Sequence, residues 1–290
     1  MWIEIDEKSL ENFKYLVPAE ELYRIGKDED YIGIAYTKSN NKLPLAAILF
    51  KPDMEEDEEG EYPIIDIRYF AVAEEARMNG VFTGLFKEFL ELTEDDFIGL
   101  IRADIPMDSE YDVACKVLED FGFEFVPAEQ YEFTENLSKC RKYPLLAAKD
   151  KVTGIAALSS LTPGGFKEII SGLLRSGKLN DENEISANIA EYDPDISAVM
   201  SCDGKTKALV LVKGPYGDML DVVYAGGEGE DEDVFAVLRE CMRLAAAKYS
   251  WSYRVHVKIR TDEGAALLMK LFPDARPVPV RRGYLYPEME

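Results

Sequence analysis

A mixed α/β (α+β) fold in two halves, each a twisted mixed sheet flanked by helices, is what the sequence predicts. Three observations carry that expectation. The chain has 290 residues, 47% of them hydrophobic, enough for two domains of ordinary size with separate cores. Strand-like and helix-like runs follow one order in both halves: a strand meander, then helix, strand, helix, strand. A meander pairs antiparallel, whereas a strand–helix–strand step makes a parallel crossover, so each half mixes both kinds of pairing.

In the first half, residues 8–23 show loose helical spacing through Leu10, Phe13, Leu16 and Leu22, broken by Pro18. Residues 31–37 and 43–50 read as strands joined by the polar tract Lys38-Ser39-Asn40-Asn41, a hairpin connection. The acidic run at 55–61 reads as an exposed loop. Residues 62–72 are apolar on both faces apart from Asp66 and Arg68, the pattern of a central strand. Residues 79–92 set Val81, Phe82, Leu85, Phe86, Phe89 and Leu90 at helical spacing. Residues 97–105 read as a strand and 111–121 as an amphipathic helix, with Asp108 or Ser109 as N-cap and Gly122 as the terminating residue. Residues 124–126 and 130–137 look like a closing pair of strands.

Residues 138–160 carry less pattern and connect the halves, which divides the chain into 1–140, a connecting segment 141–160, and 161–290. The second half predicts a helix at 163–174, strands at 196–201, 207–213 and 219–225, a helix at 233–249, a strand at 254–259, a helix at 262–272 and an extended end at 278–286. No residue-level repeat is visible between the halves, so the duplication rests on element order alone.

Charge and composition exclude several classes of function. The net charge of −23 repels nucleic-acid phosphates. It is uneven: residues 1–150 hold 16 Lys/Arg against 35 Asp/Glu, a net of −19, and residues 151–290 hold 17 against 21, a net of −4. A cationic partner is drawn to the first half; a merely solubilising surface explains the same charge equally well. No apolar run reaches the ~18–20 residues of a membrane span. The start, Met1-Trp2-Ile3-Glu4-Ile5-Asp6, lacks the basic and apolar regions of a signal peptide, so a cytosolic location is expected. Cys115, Cys140, Cys202 and Cys241 match no zinc or redox spacing, and His256 is the single histidine, in the apolar Val255-His256-Val257. No metal site is expected, and no Gly-x-Ser-x-Gly elbow accompanies the histidine.

The segment that carries chemistry runs from Ile64 through Val72 to Leu85. It is a strand, a short turn and a helix opening at Gly80. The first N–H groups of a helix are unpaired and the helix dipole adds positive potential, which makes an anion site fit for a pyrophosphate. Gly80 lets a ligand approach the backbone without a Cβ in the way, and Arg77 adds a cation. In the second half the comparable place is Gly226-Gly227-Glu228-Gly229-Glu230-Asp231-Glu232-Asp233. Five acids in six residues there repel phosphate.

Arg77-Met78-Asn79-Gly80-Val81-Phe82 resembles the Arg/Gln-x-x-Gly-x-Gly/Ala signature of the GNAT acetyltransferase superfamily, with Val72 ending the preceding strand as in that family. The match holds at Arg77 and Gly80 and departs at Phe82, where Gly or Ala is usual. The Gly122-Phe123 pair after a helix is similar to a second family feature. The resemblance covers residues 20–135. It implies an N-acetyltransferase that takes acetyl-CoA and passes the acetyl group directly to a primary amine. The pyrophosphate would lie at Arg77, Met78, Asn79, Gly80, Val81, Phe82 and Thr83, and the thioester beside Phe70, Ala71 and Val72. The family's carboxylate base corresponds to Asp66; a carboxylate among apolar strand residues suits a proton acceptor, whereas an Asp66–Arg68 ion pair is the structural alternative. The family's proton-donating Tyr falls on Leu118. Tyr111, seven residues earlier on the same helix face, is the substitute, unless it serves only in packing. The second half is then a degenerate unit without the phosphate signature. The competing expectations are a non-catalytic acyl-CoA-binding module and a purely structural tandem protein.

Overall fold

The computed structural model describes residues 2–6, 8–25, 30–37, 43–57, 60–93, 98–140, 143, 154–179, 185–216 and 218–287. The chain divides into two units, Met1–Ala128 with Pro279–Glu290, and Glu129–Val278.

Unit 1 holds strands β1 (Trp2–Glu4), β2 (Ile32–Thr37), β3 (Pro44–Asp57), β4 (Gly60–Val72), β5 (Leu100–Pro106) and the last strand of the chain, β12 (Val278–Leu285). β1 to β4 pair antiparallel in sequence, β4 and β5 pair parallel, and β12 pairs antiparallel with β5 through Arg282↔Asp104 and Tyr284↔Arg102. Helix α1 (Ala19–Ile25) and the residues before it cover one face: Phe13, Leu16 and Leu22 pack on Ala35, Ala47 and Leu49. Helices α2 (Val81–Thr93) and α3 (Asp112–Glu119) cover the other, where Leu85, Phe86, Phe89 and Leu118 meet Ile48, Ile65, Ile67 and Ile101. The two faces follow from the two-residue period of a strand.

Unit 2 contains helix α4 (Leu137–Cys140), strands β7 (Ile155–Ala157), β8 (Ala198–Cys202), β9 (Lys205–Tyr216), β10 (Met219–Gly226) and β11 (Arg254–Ile259), and residues of β6 (Glu124–Asn136). β7 to β10 pair antiparallel in sequence, β10 and β11 pair parallel, and β11 pairs antiparallel with residues 131–136 of β6. The turn between β8 and β9 uses Asp203 and Gly204, both at positive φ, as a tight hairpin requires. Helix α5 (Pro163–Arg175) covers one face, with Thr162 capping it through Gly165 N–H. Helices α6 (Asp231–Lys248) and α7 (Asp262–Leu271) cover the other.

Both units therefore have one strand order: a four-strand antiparallel run, a parallel step, and an antiparallel sixth strand. In each, the sixth strand comes from beyond the half that supplies the others. The segment 278–286, expected at the end of the second half, instead supplies β12 and completes unit 1. Two other expectations are corrected. The acidic run is not a loop throughout: β3 and β4 form a long hairpin in which Glu55 pairs with Tyr62, Glu56 with Glu61 and Asp57 with Gly60. Glu56 and Glu61 are exposed to water, and Glu55 pairs with Arg102, so these carboxylates are tolerated in a strand pair. Residues 124–126 and 130–136 belong to one strand and not a pair, and Leu137 opens α4; Pro127 within the strand is exposed, where a missing N–H costs little. The tract at 38–41 and residue 97 lie outside the described residues.

Candidate functional site

Pairing between β4 and β5 runs only from Ile64↔Leu100 to Ile67↔Ala103. Both strands continue, β4 to Val72 and β5 to Pro106, so they part beyond that point. A bulge at Arg68 marks the root of the parting, since Phe50 pairs with Ile67 and Leu49 with Tyr69. A bulge bends its strand, which helps β4 turn away from β5. Phe70, Ala71 and Val72 still pair with β3, leaving their other edge without β5 as partner.

The chain leaves β4 through a 3-10 turn, Glu74–Ala76, and enters α2. Arg77 is exposed and donates from Nε to Val72 O at 3.3 Å; Asn79 Nδ2 donates to Arg77 O at 3.1 Å. Met78 and Gly80 have φ of 61° and 68°. For Gly80 this is the left-handed region that glycine occupies freely, and a Cβ built there meets nothing within 4 Å. The first helical bond runs from Gly84 N–H to Gly80 O, so the N–H groups of Val81, Phe82 and Thr83 precede it. No acidic side chain lies in the first turn of α2. The Phe82 ring, out of pattern for the family signature, is buried 5.2 Å from Phe70 and 5.7 Å from Phe86, and does not occupy this entrance.

A charged row crosses the sheet on the face opposite α2. Asp66 lies between Lys51 and Arg102 in register. Arg102 donates twice to Asp66, Nε to Oδ1 at 2.5 Å and Nη2 to Oδ2 at 2.8 Å, and also bonds Glu55. Arg68 Nη2 approaches Asp66 Oδ2 at 3.1 Å. The ion pair weighed against a base role for Asp66 is thus formed, with Arg102 added. Burial works against the Arg102 charge, and Asp66 and Glu55 more than offset it, so its pKa is raised. One step on, Asp104 receives Arg282 Nε at 2.7 Å and Nη2 at 2.9 Å. Tyr111 ends a 3-10 turn just before α3 and is exposed, while Leu118 is fully buried.

No family model and no curated protein sequence matches the chain. Solved structures do. A tandem GNAT protein from the clavulanic acid biosynthesis pathway aligns over 100% of this chain and 99% of its own, at a TM-score of 0.69 and 11% identity. A GCN5-related N-acetyltransferase from Sphaerobacter thermophilus aligns over 100% and 97%, at 0.61 and 14%. This chain has a tandem GNAT fold.

Within that fold the two GNAT units carry matching residues that the linear sequence hides. The parallel pairing of β10 and β11 also covers four residues, Met219↔Arg254 to Val222↔Val257, and β10 bulges next, at Val223. Asp221 occupies the place of Asp66, between Lys213 and His256. His256 Nδ1 lies 2.9 Å from Asp221 Oδ1. Beyond each bulge a tyrosine anchors its hydroxyl on a backbone carbonyl: Tyr69 to Leu16 O at 3.0 Å and Tyr224 to Lys178 O at 2.9 Å. The Asp104–Arg282 pair is matched, with charges reversed, by Lys258 and Glu132 at 3.9 Å. Arg102, Asp104 and Arg282 were not singled out from sequence; a two-residue alternation of charge in 102–104 was the one available sign.

The helix entrances do not match. α6 begins with Asp231, Glu232 and Asp233, and Asp233 Oδ2 accepts from Glu230 N–H at 3.1 Å, which sets carboxylates at the helix start. A Cβ on Gly227 would sit 2.3 Å from Lys207 O. Backbone crowds Gly227, whereas the space behind Gly80 is open. The buried thiols of Cys115 and Cys241 are pushed up by burial, which disfavours the nucleophilic thiolate.

Proposed function

We propose that this tandem GNAT protein is an acetyl-CoA-dependent N-acetyltransferase acting on a primary amine by direct transfer, with unit 1 as the cofactor-binding unit. The observation that carries the reading is the entrance to α2: an acid-free helix start behind a Cβ-free Gly80, next to strands that part. Such a start binds pyrophosphate through N–H groups and the helix dipole. Val81, Phe82 and Thr83 N–H would receive the phosphate oxygens, and Arg77 would swing from Val72 to add a cation. The free edge of Phe70 to Val72 would orient the thioester. The acceptor nitrogen bonds to the thioester carbonyl carbon, the C–S bond breaks, and the proton lost from nitrogen ends on sulfur, giving an amide and a free thiol.

Asp66 and Tyr111 are the acid–base candidates from sequence. Because both Asp66 oxygens are bonded by Arg102, we assign Asp66 to holding β4 against β5 at the root of the parting. An Asp66→Asn variant separates the roles: a clamp loses stability, whereas a base loses turnover and the acidic limb of the pH profile while acetyl-CoA affinity stays. A non-catalytic acyl-CoA-binding role is the second reading, favoured by the buried Leu118 where a proton-donating Tyr is usual. Acetyl-CoA is expected to raise the melting temperature, and free thiol to be released with a panel of amines. A thermal shift without thiol release favours the second reading; neither effect refutes both.

A further inference from the structure

The Asp104–Arg282 pair stands where β4 and β5 begin to part. Asp104 directly follows Ala103, the last β5 residue paired with β4. It shares a face with Arg102 and Asp66, because residues two apart on a strand point the same way; Ala103 and Ile105 face the α2 core instead. The pair is therefore on the side of the sheet away from the cofactor entrance. Its accessibility differs from that of its neighbour. The Asp66 side chain is 9% exposed and is shared by two guanidiniums, whereas Asp104 and Arg282 are 28% and 30% exposed and bond each other. Arg282 belongs to β12, the last strand of the chain.

An acceptor with only an ammonium group gains little here. Bonding Asp104 in place of Arg282 leaves the guanidinium without its carboxylate, and the surroundings already hold Arg102 and Arg68. An acceptor that carries both charges compensates both members: its ammonium meets Asp104 and its carboxylate meets Arg282, whose planar fork suits two-point bonding of a carboxylate. The matching place in unit 2 has the opposite order, Lys258 on the central strand and Glu132 on the sixth, and would set an amine against a cation.

On the reading that unit 1 acetylates an amine, we propose that the Asp104–Arg282 pair selects a zwitterionic acceptor, a small amino acid whose amine and carboxylate are bridged by this pair. The pair forms the specificity element of the acceptor site. Arg282, brought in by the terminal strand, reads the carboxylate.

The test uses the whole chain, acetyl-CoA, and matched acceptors: amino acids, their carboxamides, simple alkylamines and spermidine. Calorimetry with acetyl-CoA alone comes first. Its failure refutes the acetyltransferase reading and the proposal with it. With cofactor binding established, kcat/KM for an amino acid is expected to exceed that for its carboxamide by at least about 10-fold, the worth of one charge-assisted contact. Arg282→Met should abolish this preference through KM of the acid, leaving acetyl-CoA affinity unchanged. Arg282→Lys should restore part of it. Equal rates for acid and carboxamide, a preference for spermidine, or an unchanged preference in a folded Arg282→Met protein would overturn the proposal while leaving the acetyltransferase reading standing.

Discussion

Unit 1 and unit 2 differ least where strands meet and most where α2 and α6 begin. Each keeps a four-residue parallel pairing, a bulge directly after it, a Lys–Asp–base row and a carbonyl-bonded tyrosine. Only unit 1 keeps the open turn before its first crossover helix. The eight residues 73–80 separate Val72 from α2, whereas 227–230 lead from Gly226 into α6. The shorter path in unit 2 removes the Arg77–Gly80 stretch and closes the helix start with carboxylates. A folding frame constrains strand register strongly, because one slipped residue turns a core face outward. A loop that binds a ligand is under no such constraint when the ligand is no longer bound.

The largest expected effect tests the shared row. Arg102→Met removes one partner of a buried ion pair and should destabilise unit 1 by about 3–5 kcal/mol, read from urea unfolding. His256→Phe should cost less, about 1–2 kcal/mol, since Asp221 loses a single hydrogen bond. An unchanged midpoint in either variant would mean that the row is not a common clamp.

A second pair of substitutions contrasts the helix entrances. Gly227→Ala must push Cβ against Lys207 O and should cost about 2 kcal/mol. Gly80→Ala meets no atom and should cost about 1 kcal/mol, from its positive φ alone. Similar losses from both would contradict the difference in space behind the two glycines.

Acid sharpens the contrast from the side of unit 2. Asp193 is buried there and accepts from Lys248 at 2.8 Å and 3.0 Å and from Tyr249. Burial opposes its charge, and these bonds more than offset that, holding the carboxyl below its ordinary value. The unfolded chain binds this proton near pH ~3.9. The stabilisation is therefore present above that pH and lost as pH falls through the lower folded value. Asp193→Asn should remove this part of the acid sensitivity, with a loss of about 1.5 kcal/mol at neutral pH.

The frame was largely legible in the sequence. The central strand at 62–72, the helix after it and the Arg77–Gly80 turn follow from periodicity and from one glycine, and the structure forms β4 and α2 there. Long-range pairing was not legible. β12 reads as an extended end because nothing local says that its partner is β5. The repeat between the units escaped for the same reason: Asp66 and Arg102 stand 36 residues apart and Asp221 and His256 stand 35 apart, on different strands and with different basic residues. Only register brings them to one place. The acidic run misled because charge implies exposure, and an exposed hairpin end satisfies that as well as a loop does.

The central claim is that one unit holds the cofactor and the other cannot. Calorimetric titration of the whole chain with acetyl-CoA tests it most directly. One site per chain is expected, weakened at least about 10-fold by Gly80→Asp, which sets a carboxylate where the phosphates would lie, with the fold retained. Two sites per chain, or one site that survives Gly80→Asp undiminished, would contradict it.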